Sequence, residues 1–164
     1  MFKLLKASPT AVVVATALAS AQAPAASKWK DPEGCKSSIL GICTSYFTEA
    51  EKADIRENMR LEAALRDPDS AFRELAQRLL QRVRFAGGMA QIQEPLVGSK
   101  TVPGTTSWSV DCEDPSTVPF SSVTVTFGDT EVNLLPIGVD LPKGACQQLS
   151  LQLGALVRRG LTPP

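Results

Sequence analysis

PDSAFRELAQRLLQRVRFAGG, residues 68–88, carries the clearest periodicity in the chain. Phe72, Leu75, Ala76, Leu79, Leu80 and Val83 recur at i, i+3, i+4, i+7, i+8 and i+11, the spacing that lines apolar groups along one stripe of an α-helix. The spacing predicts a helix over about 68–86 with Leu79 and Leu80 in the core and Arg78 and Arg82 on the surface. Pro68 suits the first helical position and Asp67 or Asp69 can cap it. Gly87-Gly88 supplies the left-handed backbone that ends helices.

Upstream, Thr48-Glu49-Ala50-Glu51 has the form of a capping box, in which the Thr48 hydroxyl accepts a backbone N–H while Glu51 reaches back. A helix is expected from there, with a weak stripe at Ala50, Ala53, Ile55, Met59, Ala63 and Leu65, and Asp67-Pro68 stops it because a residue before proline avoids helical geometry. Downstream, Met89 to Thr106 contains Pro95, Gly98, Pro103 and Gly104 and is expected to be a connecting loop with one short strand at Ala90 to Gln93. Trp108 to Cys112 and Ser122 to Phe127 alternate as strands do, and Gly128-Asp129 turns the second of these into Glu131 to Leu135. Cys146, Leu149, Leu153, Leu156 and Val157 return to helical spacing up to Arg159, with Arg158 and Arg159 suited to the helix C-terminus and Gly160 to its end. The expected fold is therefore α+β: two N-terminal helices, a small antiparallel sheet of about three strands, a C-terminal helix and two disulfides.

The beginning of the chain is of another kind. Lys3 and Lys6 precede the apolar run Ala11 to Ala19, which falls short of the ~20 residues a membrane span needs. A basic head, a short apolar middle and the small residues Ala19-Ser20-Ala21 form a secretory signal peptide, cut after Ala21, with Ala23 as the second choice. Residues 22–47 are expected to be an N-terminal arm with a local disulfide loop, its first part rich in Ala, Ser, Lys and Pro. Residues 48–164 form a single α+β domain, a usual size for one. Trp29 either pins the arm to the domain or faces a partner, and pinning is the commoner role.

Four cysteines, Cys35, Cys43, Cys112 and Cys146, remain after that cut, and an even number in an exported chain implies two disulfides in an oxidising compartment. Of the three connectivities, Cys35 with Cys43 and Cys112 with Cys146 is favoured; a crossed pattern would staple the arm to the sheet. In the chain-entropy treatment the two closures contribute roughly 2.6 and 4 kcal/mol.

Losing Lys3 and Lys6 from 17 basic side chains leaves 15 against 17 acidic ones, which gives no general attraction to nucleic acid or anionic lipid. The chain has no His, which excludes Ser-His-Asp and Cys-His nucleophile systems and removes the commonest zinc ligand. Asp111, Glu113 and Asp114 are close enough to suggest a cation or an acid–base pair, but a solvated strand end accounts for them better. From Thr101 to Leu141 there are six acids and no base, so this half is expected to present a negative surface. Arg78, Arg82 and Arg84, toward the end of the second helix, are candidate partner-binding residues, with the helix dipole and a Glu74–Arg78 pair as the structural explanation.

No catalytic, cofactor or metal-binding set is assigned. The expected function is that of a non-enzymatic periplasmic or secreted protein of bacterial type, without nucleic acid and without a transmembrane segment once the signal is removed. Its expected partner is a protein, within a cell-envelope complex such as a secretion, pilus or conjugation apparatus. The rivals are an inhibitor or immunity-type protein that plugs a hydrolase, for which the loop closed by Cys35 and Cys43 is suited, and an enzyme that uses carboxylates alone.

Overall fold

A computed structural model describes residues 28–94, 98–103 and 107–161; the proposed signal peptide and its cut site lie outside them. The elements run β1 (Cys35–Ile39), β2 (Ile42–Tyr46), α1 (Glu49–Ala64), α2 (Pro68–Arg82), β3 (Val83–Ala86), β4 (Met89–Glu94), β5 (Gly98–Pro103), β6 (Trp108–Glu113), β7 (Ser122–Phe127), β8 (Thr130–Asn133) and α3 (Ala145–Arg158). The fold is α+β, but with three antiparallel sheets among the described residues: the hairpin β1-β2, then β3-β4-β5 and β6-β7-β8.

Both upstream helix starts follow local chemistry. Thr48 accepts from the Glu51 N–H while the Glu51 carboxylate accepts from the Thr48 N–H, closing the capping box. Asp67, rather than Asp69, caps α2 by accepting from the Ser70 N–H at 2.8 Å, with Pro68 at the first helical position. Of the stripe expected for α1, Leu65 is buried, at the residue that caps the helix. Within the helix the buried residue is Leu61, one turn before it, while Ala50, Ala53 and Ala63 face solvent, because burying leucine removes far more apolar surface from water than burying alanine.

The second helix stops earlier than its periodicity predicts. Val83 is fully extended, with φ −128° and ψ 132°, and α2 passes directly into β3. Val83 is both the next residue of the helical stripe and the first inward residue of a strand; after it the chain alternates, with Arg84 and Ala86 out and Phe85 in. Gly87 and Gly88, both at positive φ, are the two-residue turn of the hairpin β3–β4 and not a helix cap. The strand expected at Ala90 to Gln93 is present within β4, but the region otherwise expected to be a loop adds a second strand, β5, and the inward residues Ala90, Ile92 and Val102 of the two are buried. Pro103 is tolerated because β5 is an edge strand.

The expected three-stranded sheet is present as β6-β7-β8, and Val123, Val125 and Phe127 share its buried face. The two larger sheets meet where the rings of Phe85 and Phe127 pack edge to face, 5.8 Å apart. Helix α3 covers β6 and α2 with Leu149, Leu153, Leu156 and Val157. Gly154 lets it approach closely: a Cβ there would meet the Trp108 ring at 3.4 Å. Both favoured disulfides form, Cys35–Cys43 and Cys112–Cys146.

Candidate functional site

The hairpin β1–β2 lies apart from this core. None of its residues is buried. Its base is tied to the first turn of α1 by Lys36, whose ammonium meets the Glu51 carboxylate at 2.5 Å, and Lys30 donates to the Lys36 carbonyl at 2.8 Å. The Lys36 ammonium, and behind it the Thr48 N–H, hold the Glu51 carboxyl down to about 2. Above the base, Cys35–Cys43 and the Ser37–Thr44 hydrogen bonds close the strands on each other.

The tip of this hairpin is apolar. Ile39 pairs with Ile42 across the turn Leu40-Gly41, and the exposures are 66% for Ile39, 97% for Leu40 and 71% for Ile42. Tyr46, paired with Cys35 at the end of the hairpin away from the turn, is exposed as well. Leu40 has φ 52°, in the left-handed region that costs a non-glycine residue about 1–2 kcal/mol. A leucine held in an unfavourable backbone conformation and turned into water gains nothing from packing or from propensity. No charged residue occurs from Ser37 to Phe47, so the tip offers apolar area and short hydroxyls only.

The arginines singled out in the sequence are engaged to different extents. Arg78 is half-buried and donates to Glu57 at 3.0 Å, while Glu74, its expected partner, binds Arg60 bidentately at 2.8 and 3.0 Å. Arg82 is half-buried too, and its Nη1 donates to the Asn133 carbonyl at 2.8 Å, joining α2 to the end of β8. Arg78 and Arg82 are therefore structural contacts rather than free surface cations, and Arg84 alone of the three is exposed. Leu79 is fully buried and Leu80 half-buried.

The acidic half is less negative than its composition implies. Asp129 meets Lys100 at 3.3 Å and Asp140 meets Lys28 at 2.6 Å. Asp114, expected at a solvated strand end, is buried: it accepts from Ser116 and from the Cys146 N–H, at the start of α3 where Gly144 provides no side-chain cap. The Ser116 hydroxyl first, then the backbone donors of Ser116, Cys146 and Gly144, hold its carboxyl below the usual aspartate range. Asp111 and Glu113 remain on the exposed strand. Among the described residues no group of three or more His, Cys, Asp or Glu is placed to hold a metal ion, and no helix is long and apolar enough to cross a membrane.

Trp29 pins the arm. Its Nε1 donates to Glu62 at 2.5 Å and its ring packs over Gly138, where a Cβ would meet it at 3.2 Å.

A cleft of about 210 Å³ lies between the Asp67-Pro68 elbow and the start of α3, floored by Leu65, Ala71 and Leu149. Sequence reasoning marked the loop closed by Cys35 and Cys43 but not its apolar Ile39-Leu40-Ile42 tip, and it did not mark this cleft. The available signal for the tip was an apolar cluster around a glycine between two bridged cysteines, in a stretch without charge.

No family model, curated protein or solved structure matches this chain.

Proposed function

We propose that this protein is a non-enzymatic, exported binding component of a cell-envelope assembly, which docks on a protein partner through the hairpin β1–β2. The observation that carries this reading is the disulfide-closed hairpin whose tip exposes Ile39, Leu40 and Ile42. Four of the nine large apolar side chains exposed in the described residues fall between Ile39 and Tyr46, a concentration that marks interaction sites in soluble domains. Closing the strands with a covalent bond lowers the ordering entropy that binding would otherwise cost. Strain at Leu40 fits the same account, since residues held in sparsely populated conformations gather at functional positions. The absence of His and the two disulfides support an oxidising, non-catalytic setting.

The second reading, an inhibitor of an extracellular hydrolase, is favoured by the same projecting tip, which has the form of a plug. The two differ in the complex formed: an assembly component sediments with membranes or a large particle, while an inhibitor forms a soluble one-to-one pair.

The test replaces the tip without disturbing its backbone, by Ile39→Thr, Leu40→Asn and Ile42→Thr in one chain. Threonine keeps the strand preference of isoleucine, and asparagine accepts the left-handed conformation better than leucine. Affinity capture from envelope extract should recover a partner with the wild-type chain and lose it with the triple variant at unchanged melting temperature. Equal recovery by both chains would remove the hairpin from the interface.

A further inference from the structure

We propose that Cys35–Cys43 is a redox switch: a dithiol reductant opens this bridge while Cys112–Cys146 stays closed, and the opened hairpin releases its partner. The release step rests on the reading of β1–β2 as the docking element; the order in which the two bridges open does not.

The dithiol alone balances the exchange. One of its thiolates attacks a protein sulfur, forming a mixed disulfide and freeing the other cysteine. Its second thiolate then displaces the remaining cysteine, so the protein gains two thiols and the reductant leaves as a disulfide. All four cysteines are half-buried, so access to sulfur does not separate the bridges. What separates them is how firmly the fold keeps the two thiols within reach once the bond is open, since that effective concentration sets how readily the bond re-forms.

At Cys112–Cys146 the fold holds both partners without the bond. Cys112 lies in the unbroken ladder of β6 on β7, opposite Val123, and Cys146 lies in the first turn of α3, whose Leu149 and Leu153 are buried. The Asp114 carboxylate holds the Cys146 N–H, and both cysteines pack against the core.

At Cys35–Cys43 these restraints are missing. No residue from Cys35 to Tyr46 is buried, so parting the strands exposes no core. The ladder between the cysteines shifts register twice, between Cys35 and Ser37 and between Ser37 and Ser38. The hydroxyl contacts of Ser37 with Thr44 are exposed to water, which competes for them. The turn opposes closure as well, because Leu40 is held at φ 52° and the opened loop is free to leave that conformation. Bridges that close exposed or strained segments have the more oxidising potentials and are the labile, regulatory ones. Once open, a two-stranded ribbon without a buried face is marginal in water, and the ordering of Ile39, Leu40 and Ile42 becomes a cost of binding.

The test equilibrates the wild-type chain with mixtures of reduced and oxidised dithiothreitol, alkylates free thiols and reads each cysteine pair by peptide mapping. Cys35–Cys43 should reach half-reduction at a ratio of reduced to oxidised reagent lower by about tenfold or more than Cys112–Cys146, about 30 mV by the two-electron relation. Between the two midpoints, backbone NMR shifts should change in the hairpin and the start of α1 and not at Val125 or Leu153. The melting temperature should stay near that of the oxidised chain, and capture from envelope extract should be lost and return on reoxidation. Both bridges opening together, Cys112–Cys146 opening first, or a collapse of the melting temperature when Cys35–Cys43 opens would overturn the switch. Capture that survives the opening would overturn it too. In that case, loss of capture by the Ile39→Thr, Leu40→Asn, Ile42→Thr chain would leave the docking reading standing without the switch, and retention by that chain would sink both.

Discussion

The bridge Cys35–Cys43 closes a hairpin with no buried residue, whereas Cys112–Cys146 joins a strand and a helix that are already packed against the core. At the second bridge three constraints coincide: the covalent bond, the packing of α3 on β6, and the Asp114 carboxylate on the Cys146 N–H. At the first, the bond replaces a core. A two-stranded hairpin is marginal in water without a hydrophobic face to bury, so this one owes its shape to the bridge, its cross-strand hydroxyls and the Lys36–Glu51 contact. The contrast separates a disulfide that stabilises the domain from one that preserves the form of a surface.

The sharpest way to break this contrast is to remove the core-side elements first. Leu79→Ala should destabilise the domain by about 2–5 kcal/mol, because Leu79 is fully buried in α2. Leu40→Ala, at a side chain almost wholly in water, should stay within about 0.5 kcal/mol of wild type. Denaturant titration reads both, and similar losses for the two would erase the distinction between core and hairpin. Replacing Cys112 and Cys146 by Ser should remove up to about 4 kcal/mol by the loop-closure relation, given their separation of 34 residues.

A smaller effect is expected where the arginines of α2 meet their partners. Arg78→Glu with Arg82→Glu would place a carboxylate against Glu57 and another beside the Asn133 carbonyl. A loss of about 1–2 kcal/mol should follow, more than an exposed charge reversal gives. A stability unchanged from wild type would return both residues to the solvent face that the helical periodicity suggests.

Asp114 gives the smallest change, and it depends on pH. Its folded carboxyl titrates below its unfolded value, so the charged form stabilises the fold above pH ~3.9 and that contribution is lost as pH falls through the lower, folded value. Asp114→Asn should therefore be less stable than wild type at neutral pH, and the two chains should converge as the pH is lowered past that range. Parallel curves at every pH would show that the charge of Asp114 is without effect on α3.

How much could be read from residues alone follows from how local each signal is. Thr48 with Glu51 and Asp67 with Pro68 specify their helix starts within four residues, and the alternation of Val123, Val125 and Phe127 identifies a strand by itself. Val83 misleads because it satisfies a helical stripe and a strand face at once, and Gly87-Gly88 suits either a helix end or a hairpin. Strand β4 is legible only in part, at Ala90 to Gln93, and β5 escapes notice because Val102 is its one inward apolar group and its outward groups are polar. The burial of Asp114 depends on a donor 32 residues away, and the exposure of Leu40 on which elements fail to cover it. Neither is a property of a short window.

The central claim is tested most directly by replacing Cys35 and Cys43 with Ser and measuring melting temperature and partner capture on the same preparation. A bridge contributes its loop-closure entropy to global stability only if the loop it closes orders together with the core. The account predicts a melting temperature close to that of wild type, with capture from envelope extract lost. A large fall in melting temperature, or capture that survives the loss of the bridge, would contradict it.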